Sequence, residues 1–368
     1  MKKIFVIVLC LVLLCGCTKK DTGVVIQFAS WGSKSEIDIL KPILSDFERE
    51  NPEIKVDFMH IPQNYFQKIH LLFASNTAPD VIFINNLYLP IYANAEKLEK
   101  LDVPQNYYPQ AIQALSFNGN LYAIPRDVSN LVIYYNKDLF DKKNIPYPDK
   151  NWTFDDFLSI AQKLTDKDTF GISFEEDIYY YMPYIMSMGG SINAMEDTKS
   201  QKAVKFYSDL RNKYHVAPKK HESASATMGQ MFLQQKLGMY LSGRWMVPKL
   251  REECDFDWDI QQFPNGTNGS IVQLDASGWA VSKNSKHKAE AIKLVEFLSS
   301  KQNSEKFSKS GLVVPARIDT SNSVLDNKKP EHSKVFIDII KTSKPTPTST
   351  DYKEKTDKIN KNMEKFLR

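Results

Sequence analysis

Apolar positions along the chain switch repeatedly between two spacings. Val24–Ser30 (VVIQFAS) is a short β-prone run. It leads into Ile37, Leu40, Leu44 and Phe47, which are spaced along one helix face and stopped by Asn51-Pro52. Ile54–His60 repeats the strand pattern, Tyr65–Ala74 repeats the helical one, and Ala78-Pro79-Asp80 opens a third strand at Val81–Ile84. This alternation predicts an α/β fold built on a mostly parallel sheet. Such sheets bind ligands beyond the carboxyl ends of their strands, where Trp31, Ser33, Asn85 and Asn86 fall.

The middle of the chain turns on Leu121–Phe140 (LYAIPRDVSNLVIYYNKDLF). Asn130–Tyr135 reads as a short buried strand. It is preceded by a rigid residue, a cation, an anion and a hydroxyl within five positions: Pro125, Arg126, Asp127 and Ser129. The residues alone fit a surface turn before a core strand as well as they fit a functional cluster. Further on, Thr153-Phe154-Asp155-Asp156 has capping-box spacing and predicts a helix to Leu164. Helices are also predicted over Gln201–Lys213, Thr227–Lys236 and Lys286–Ser299, with strands at Gly238–Leu241, Asp257–Phe263 and Gly278–Ser282. Ser333–Lys341 and Asp351–Phe366 read as terminal helices around an extended Lys344–Thr350.

A chain of 368 residues, 42% apolar and 25% charged, is long enough for two lobes with their own cores. Its net charge of +4 is interspersed, so no concentrated basic face for nucleic acid is expected. The N-terminus changes the picture more. Lys2 and Lys3 precede an apolar run, Ile4 to Leu14, too short to span a bilayer, and the run ends in Leu14-Cys15-Gly16-Cys17. This resembles a bacterial lipobox with Cys17 as the lipidated residue. Residues 1–16 are then a signal peptide and 17–23 a tether, which places the mature protein outside the cytoplasm, anchored by lipid to the cell membrane. Removing Cys10 and Cys15 leaves Cys254 as the one thiol without a partner for an internal disulfide, and it is read as packing. Neither the cysteines nor the six scattered histidines have metal-site spacing, so no metal and no cofactor are expected.

No nucleophile motif, P-loop or dinucleotide fingerprint occurs. The acid pairs Asp155/Asp156, Glu175/Glu176 and Glu252/Glu253 read as solvated helix surface. The aromatics carry more. Trp31, Trp245 and Trp279 each adjoin a strand and lie next to Gly, Ser or Arg, where a flat face beside polar groups suits a sugar. A core role fits any one of them equally. Trp152 and Trp258 are read as packing.

Five ordered segments resemble extracellular solute-binding protein family 1, the sugar-binding lipoproteins of ABC transporters. They are Ala78–Val81, Tyr122–Phe140, Ser242-Gly243-Arg244-Trp245, Ala276–Leu298 (ASGWAVSKNSKHKAEAIKLVEFL) and Gly311–Ala316 (GLVVPA). Arg244 stands where the family more often has Pro, and Arg126 where an aromatic is commoner. The resemblance implies two α/β lobes joined by a hinge, a periplasmic-binding-protein-like fold of type II. The first lobe would take 24–127 plus 275–308, and the second 128–274 plus 309–368. It implies a non-enzyme that captures a mono- or oligosaccharide between the lobes and delivers it to a permease, as a monomer. Matched by position, ligand contacts would come from Trp31, Ser33 and Asn86 in the first lobe, and from Arg126, Asp127 and Ser129 at the first crossing. The second lobe would supply Tyr179, Tyr180, Arg244 and Trp245, and the return crossing Gly278 and Trp279. A phosphate-bearing solute held by Arg126 and Arg244, a surface glycoside hydrolase, and a sensor or adhesin are the alternative readings.

Overall fold

A computed structural model describes residues 23–326 and 328–367, so the predicted signal peptide, Cys17 and most of the tether lie outside the described residues. The strands are β1 (Val24–Ser30), β2 (Ile54–His60), β3 (Val81–Asn85), a small hairpin of β4 (Ser116–Phe117) and β5 (Asn120–Leu121), β6 (Ile124–Asn130) and β7 (Val132–Asn136). Beyond these come β8 (Phe170–Ile172), β9 (Leu237–Ser242), β10 (Trp258–Gln261), β11 (Gln273–Val281), β12 (Val314–Pro315) and β13 (Lys344–Pro345). One sheet runs β12-β6-β11-β3-β1-β2, with β13 also on β11, and a second runs β10-β7-β9-β8. Helices flank both, giving the expected two-lobed α/β architecture.

Local pattern accounts for the elements. The helix Lys34–Glu50 buries Ile37, Leu40, Ile43, Leu44 and Phe47, a stripe at helical spacing, and Ser33 caps it by accepting from the Glu36 amide at 3.3 Å. Thr153 and Asp156 form the predicted capping box, each side chain accepting from the other's backbone N–H. Val81, Ile82, Phe83 and Ile84 of β3 are fully buried, as a strand covered on both faces must be.

Strand directions differ from the mostly parallel expectation. β1 is parallel to β2 and β3, but β11 is antiparallel to both β3 and β6, and β7 is antiparallel to β9 and β10. The reason is connectivity. The chain leaves the first sheet along β6 and returns along β11, and an outgoing strand beside an incoming one must run against it. The predicted single strand Asn130–Tyr135 is in fact two, β6 and β7, which lie in different sheets with only Leu131 between them. Residues 125–129, which by sequence alone fitted either a turn before the strand or a functional cluster, are themselves part of strand β6.

The C-terminal part serves both lobes rather than the second alone. Val314–Pro315 pairs with β6, and the turns at Ile318–Val324 pack on the helix Lys301–Lys309 of the first lobe. His332 contacts Asp259 of β10, and the last helix, Tyr352–Leu367, packs on the helices Ile178–Ser187 and Thr198–Asn212.

Candidate functional site

Where β6 and β11 lie side by side, register sorts their residues onto two faces. Ser277 is paired with both Asp127 and Asn85, and Asp275 with Ser129; paired residues share a face, so these polar groups form one patch. Ala276, Val128 and Val314 form the alternate, buried row. The register slips between Ser277, opposite Asp127, and Gly278, opposite Pro125. Arg126 is therefore an extra residue, a β-bulge, and such bulges re-aim side chains. A Cβ on Gly278 would lie 2.2 Å from the Ile124 carbonyl oxygen, so only glycine permits this close approach.

The bulge brings Arg126 and Asp127 together. Arg126 Nε donates to the Asp127 carboxylate, and Nη1 donates to Glu36 Oε1 at 2.5 Å. The guanidinium also lies over Phe83 (4.1 Å), Phe307 (5.0 Å) and Trp279 (5.5 Å). Burial opposes its charge, but Asp127 and Glu36 outweigh that and hold its pKa above the ordinary value. Burial pushes the Asp127 carboxyl up, against the pull of Arg126.

A cavity of about 200 Å³ opens over this cluster. Trp31, Glu36, Arg126, Asp127, Ser129 and Ser277 line it on the first-sheet side, and Arg244 and Trp245 on the other, with Leu312 and Val313 closing it. An outer groove of about 700 Å³ shares Trp31 and Glu36 with the cavity and adds Ser33 and His60. Trp31 is half-buried and held by Phe83 (4.2 Å), Tyr65 (4.9 Å) and Phe66 (5.3 Å). Tyr65 is itself fixed by donating to the Ala29 carbonyl at 3.0 Å. Trp245 remains 36% exposed. Its ring folds over Gly243, where a Cβ would come within 1.9 Å of it.

Arg244 differs from Arg126. It is 3% exposed; among the described residues its Nε and Nη1 have no hydrogen-bond partner, and a ring contact is made with Phe336 at 5.3 Å. Burial lowers its pKa to about 10.

The structure thus brings Trp31, Arg126, Asp127, Ser129, Arg244 and Trp245 around one cavity. Ser33 lines only the outer groove, with its hydroxyl on the helix cap. Tyr179 and Tyr180 stand beside the cavity rather than lining it, Tyr179 being 6.4 Å from the Trp245 ring. Three expected contacts belong to the scaffold. Asn86 is fully buried, donating to Asp275 Oδ1 at 2.9 Å and accepting from the Ala276 amide at 3.1 Å. Trp279 is fully buried on Phe28 and Phe83, and Gly278 is the point of strand contact. Glu36 and Ser277 were not foreseen. The Ser33-x-x-Glu36 spacing was a cue to Glu36, although its carboxylate goes to Arg126. Ser277 is visible only through its register with Asp127.

Comparison with known proteins agrees with this geometry. The family model described as bacterial extracellular solute-binding protein matches residues 32–305. The chain belongs to that family. This solute-binding protein is 24% identical over 353 residues to the galactooligosaccharide-binding protein of Bacillus subtilis, a match covering 89% of this chain and 81% of the relative. It is 26% identical over 336 residues to the multiple sugar-binding protein of Streptococcus mutans, covering 80% and 77%. Among solved structures, an ABC substrate-binding protein from Listeria monocytogenes in complex with cycloalternan superposes with a TM-score of 0.85 at 25% identity, covering 94% of each chain. Among the described residues no helix is long and apolar enough to cross a membrane.

Proposed function

We propose that this solute-binding protein is the extracytoplasmic capture component of an ABC importer, a monomer anchored by lipid at Cys17. It takes a carbohydrate into the cavity between its lobes and hands it to a permease unchanged. The observation that carries this reading is one cavity lined from both lobes, with the faces of Trp31 and Trp245 beside the polar patch of Asp127, Ser129 and Ser277. The sugar ring stacks on the indoles, and its hydroxyls donate to Asp127 and exchange hydrogen bonds with the two serines. Leaving such a group unpaired costs about 1–3 kcal/mol. The sugar-binding names of the relatives support the same ligand class.

Two features favour capture over catalysis. The carboxylates lining the cavity, Glu36 and Asp127, are both held by Arg126, so neither is free to serve as an independent acid or base. The chain also passes between the sheets at Leu131 and again between β10 and β11, an arrangement suited to hinge closure.

A thermal-shift screen of residues 18–368 against mono- and oligosaccharides tests this. A ligand of the folded state stabilises by about 2.7 kcal/mol at a hundredfold excess over its Kd. A clear rise with one sugar class, with the sugar recovered intact, is expected. No rise with any sugar, or recovery of cleaved sugar, contradicts the reading.

A further inference from the structure

The cavity holds two buried guanidiniums in opposite electrostatic conditions. Arg126 is matched by two carboxylates. Among the described residues Arg244 is matched by none: Asp326, the carboxylate that favours its charge, is already held in a two-point pair by Arg251 at 2.7 and 2.9 Å. The hydroxyl of Tyr134 offers no substitute, since it donates to the Gly243 carbonyl at 2.7 Å and burial keeps it neutral. With its pKa at about 10, Arg244 is a cation at neutral pH. A buried cation without a partner is costly, and its unmatched N–H groups add to that cost.

Resting on the carbohydrate reading above, we propose that the solute carries an oxyanion, as a uronate or a sugar phosphate does, and that Arg244 receives it. The cavity is divided to suit such a ligand. At the first-lobe end, Glu36 and Asp127 exceed Arg126 by one negative charge and accept hydrogen bonds from sugar hydroxyls. At the second-lobe end, Arg244 donates to the oxyanion in the two-point geometry that guanidinium offers carboxylate and phosphate. Trp245, next in sequence and on the same cavity, presents its face to the ring between those ends. A neutral sugar fills the first end and leaves Arg244 unmatched.

Titration calorimetry on residues 18–368 tests this with three probes: a uronic-acid disaccharide, a hexose phosphate and the matched neutral disaccharide. One of the two anionic probes is expected to bind about 10–100-fold more tightly than the neutral sugar, the range for a hydrogen bond to a charged group. Which of them binds separates carboxylate from phosphate. Arg244→Gln is expected to lose most of the affinity for the anionic probe and so to erase that preference, and Arg244→Lys to restore part of it. The melting temperature of each variant verifies folding. Equal affinity for charged and neutral sugars overturns the inference but leaves carbohydrate capture standing, as does an equal loss of both in Arg244→Gln. Failure of every sugar to bind overturns both.

Discussion

Arg126 and Arg244 line the same cavity and are almost equally buried, at 8% and 3% exposed, yet their surroundings are opposite. Arg126 sits on a bulge between two carboxylates and over three aromatic rings, so its charge is neutralised and most of its surface packed within the first lobe. Arg244 sits at the end of β9, where the local acid is already taken. Burial therefore does not define a role. A buried charge matched by the fold is architecture, while one left unmatched beside a cavity points to something the fold does not contain.

Substitution should separate the two arginines by sign. Arg126→Met leaves Glu36 and Asp127 buried without their cation, and a loss of about 3–5 kcal/mol in denaturant unfolding is expected. Arg244→Met removes an unmatched charge while keeping an apolar stem, and should raise the stability of the ligand-free protein by about 1–2 kcal/mol. If both variants lose stability equally, the contrast fails. Trp245→Ala should weaken sugar binding by about 1–2 kcal/mol with little change in melting temperature, since the ring is 36% exposed. Gly243→Ala should reproduce that loss by pushing the ring away; normal affinity in this variant would show that the ring's seat on Gly243 is irrelevant.

The smallest effect concerns Asp275. Burial raises its pKa above 3.8, against hydrogen bonds from Thr346 and Asn86. For a raised acid the native state favours the protonated form, so stability falls as pH climbs from the unfolded pKa through the folded one, and stays reduced above it. Asp275→Asn cannot ionise. Its melting temperature relative to the parent should rise between pH 3.5 and pH 7, and a constant difference across that range would count against this account of Asp275.

Much of the fold was legible because local patterns determine it. The run from β1 to β3, the cap at Ser33 and the capping box at Thr153 follow from spacing and end residues alone. The polar residues of β6 stood out, but the residues alone fitted a turn as well as a functional cluster, because a strand lining a cleft lacks the apolar alternation of one lining a core. Register was not legible. Nothing local distinguishes Trp279, which faces Phe28 and Phe83, from Trp245, which faces the cavity, and nothing local ties Asn86 to Asp275, far along the chain. The same gap hid Ser277 and the bulge at Arg126. Both exist only once β6 and β11 are aligned.

The most direct test of solute capture between the lobes is a tryptophan-fluorescence titration of the mature chain with the sugar that gives the largest thermal shift. Trp31 and Trp245 line the cavity, while Trp152, Trp258 and Trp279 are buried elsewhere. A saturable one-site change, lost in large part in Trp245→Phe, with the sugar recovered intact, is the predicted result. A signal unaffected by Trp245→Phe together with unaltered affinity in Trp245→Ala would place the ligand elsewhere and contradict the account.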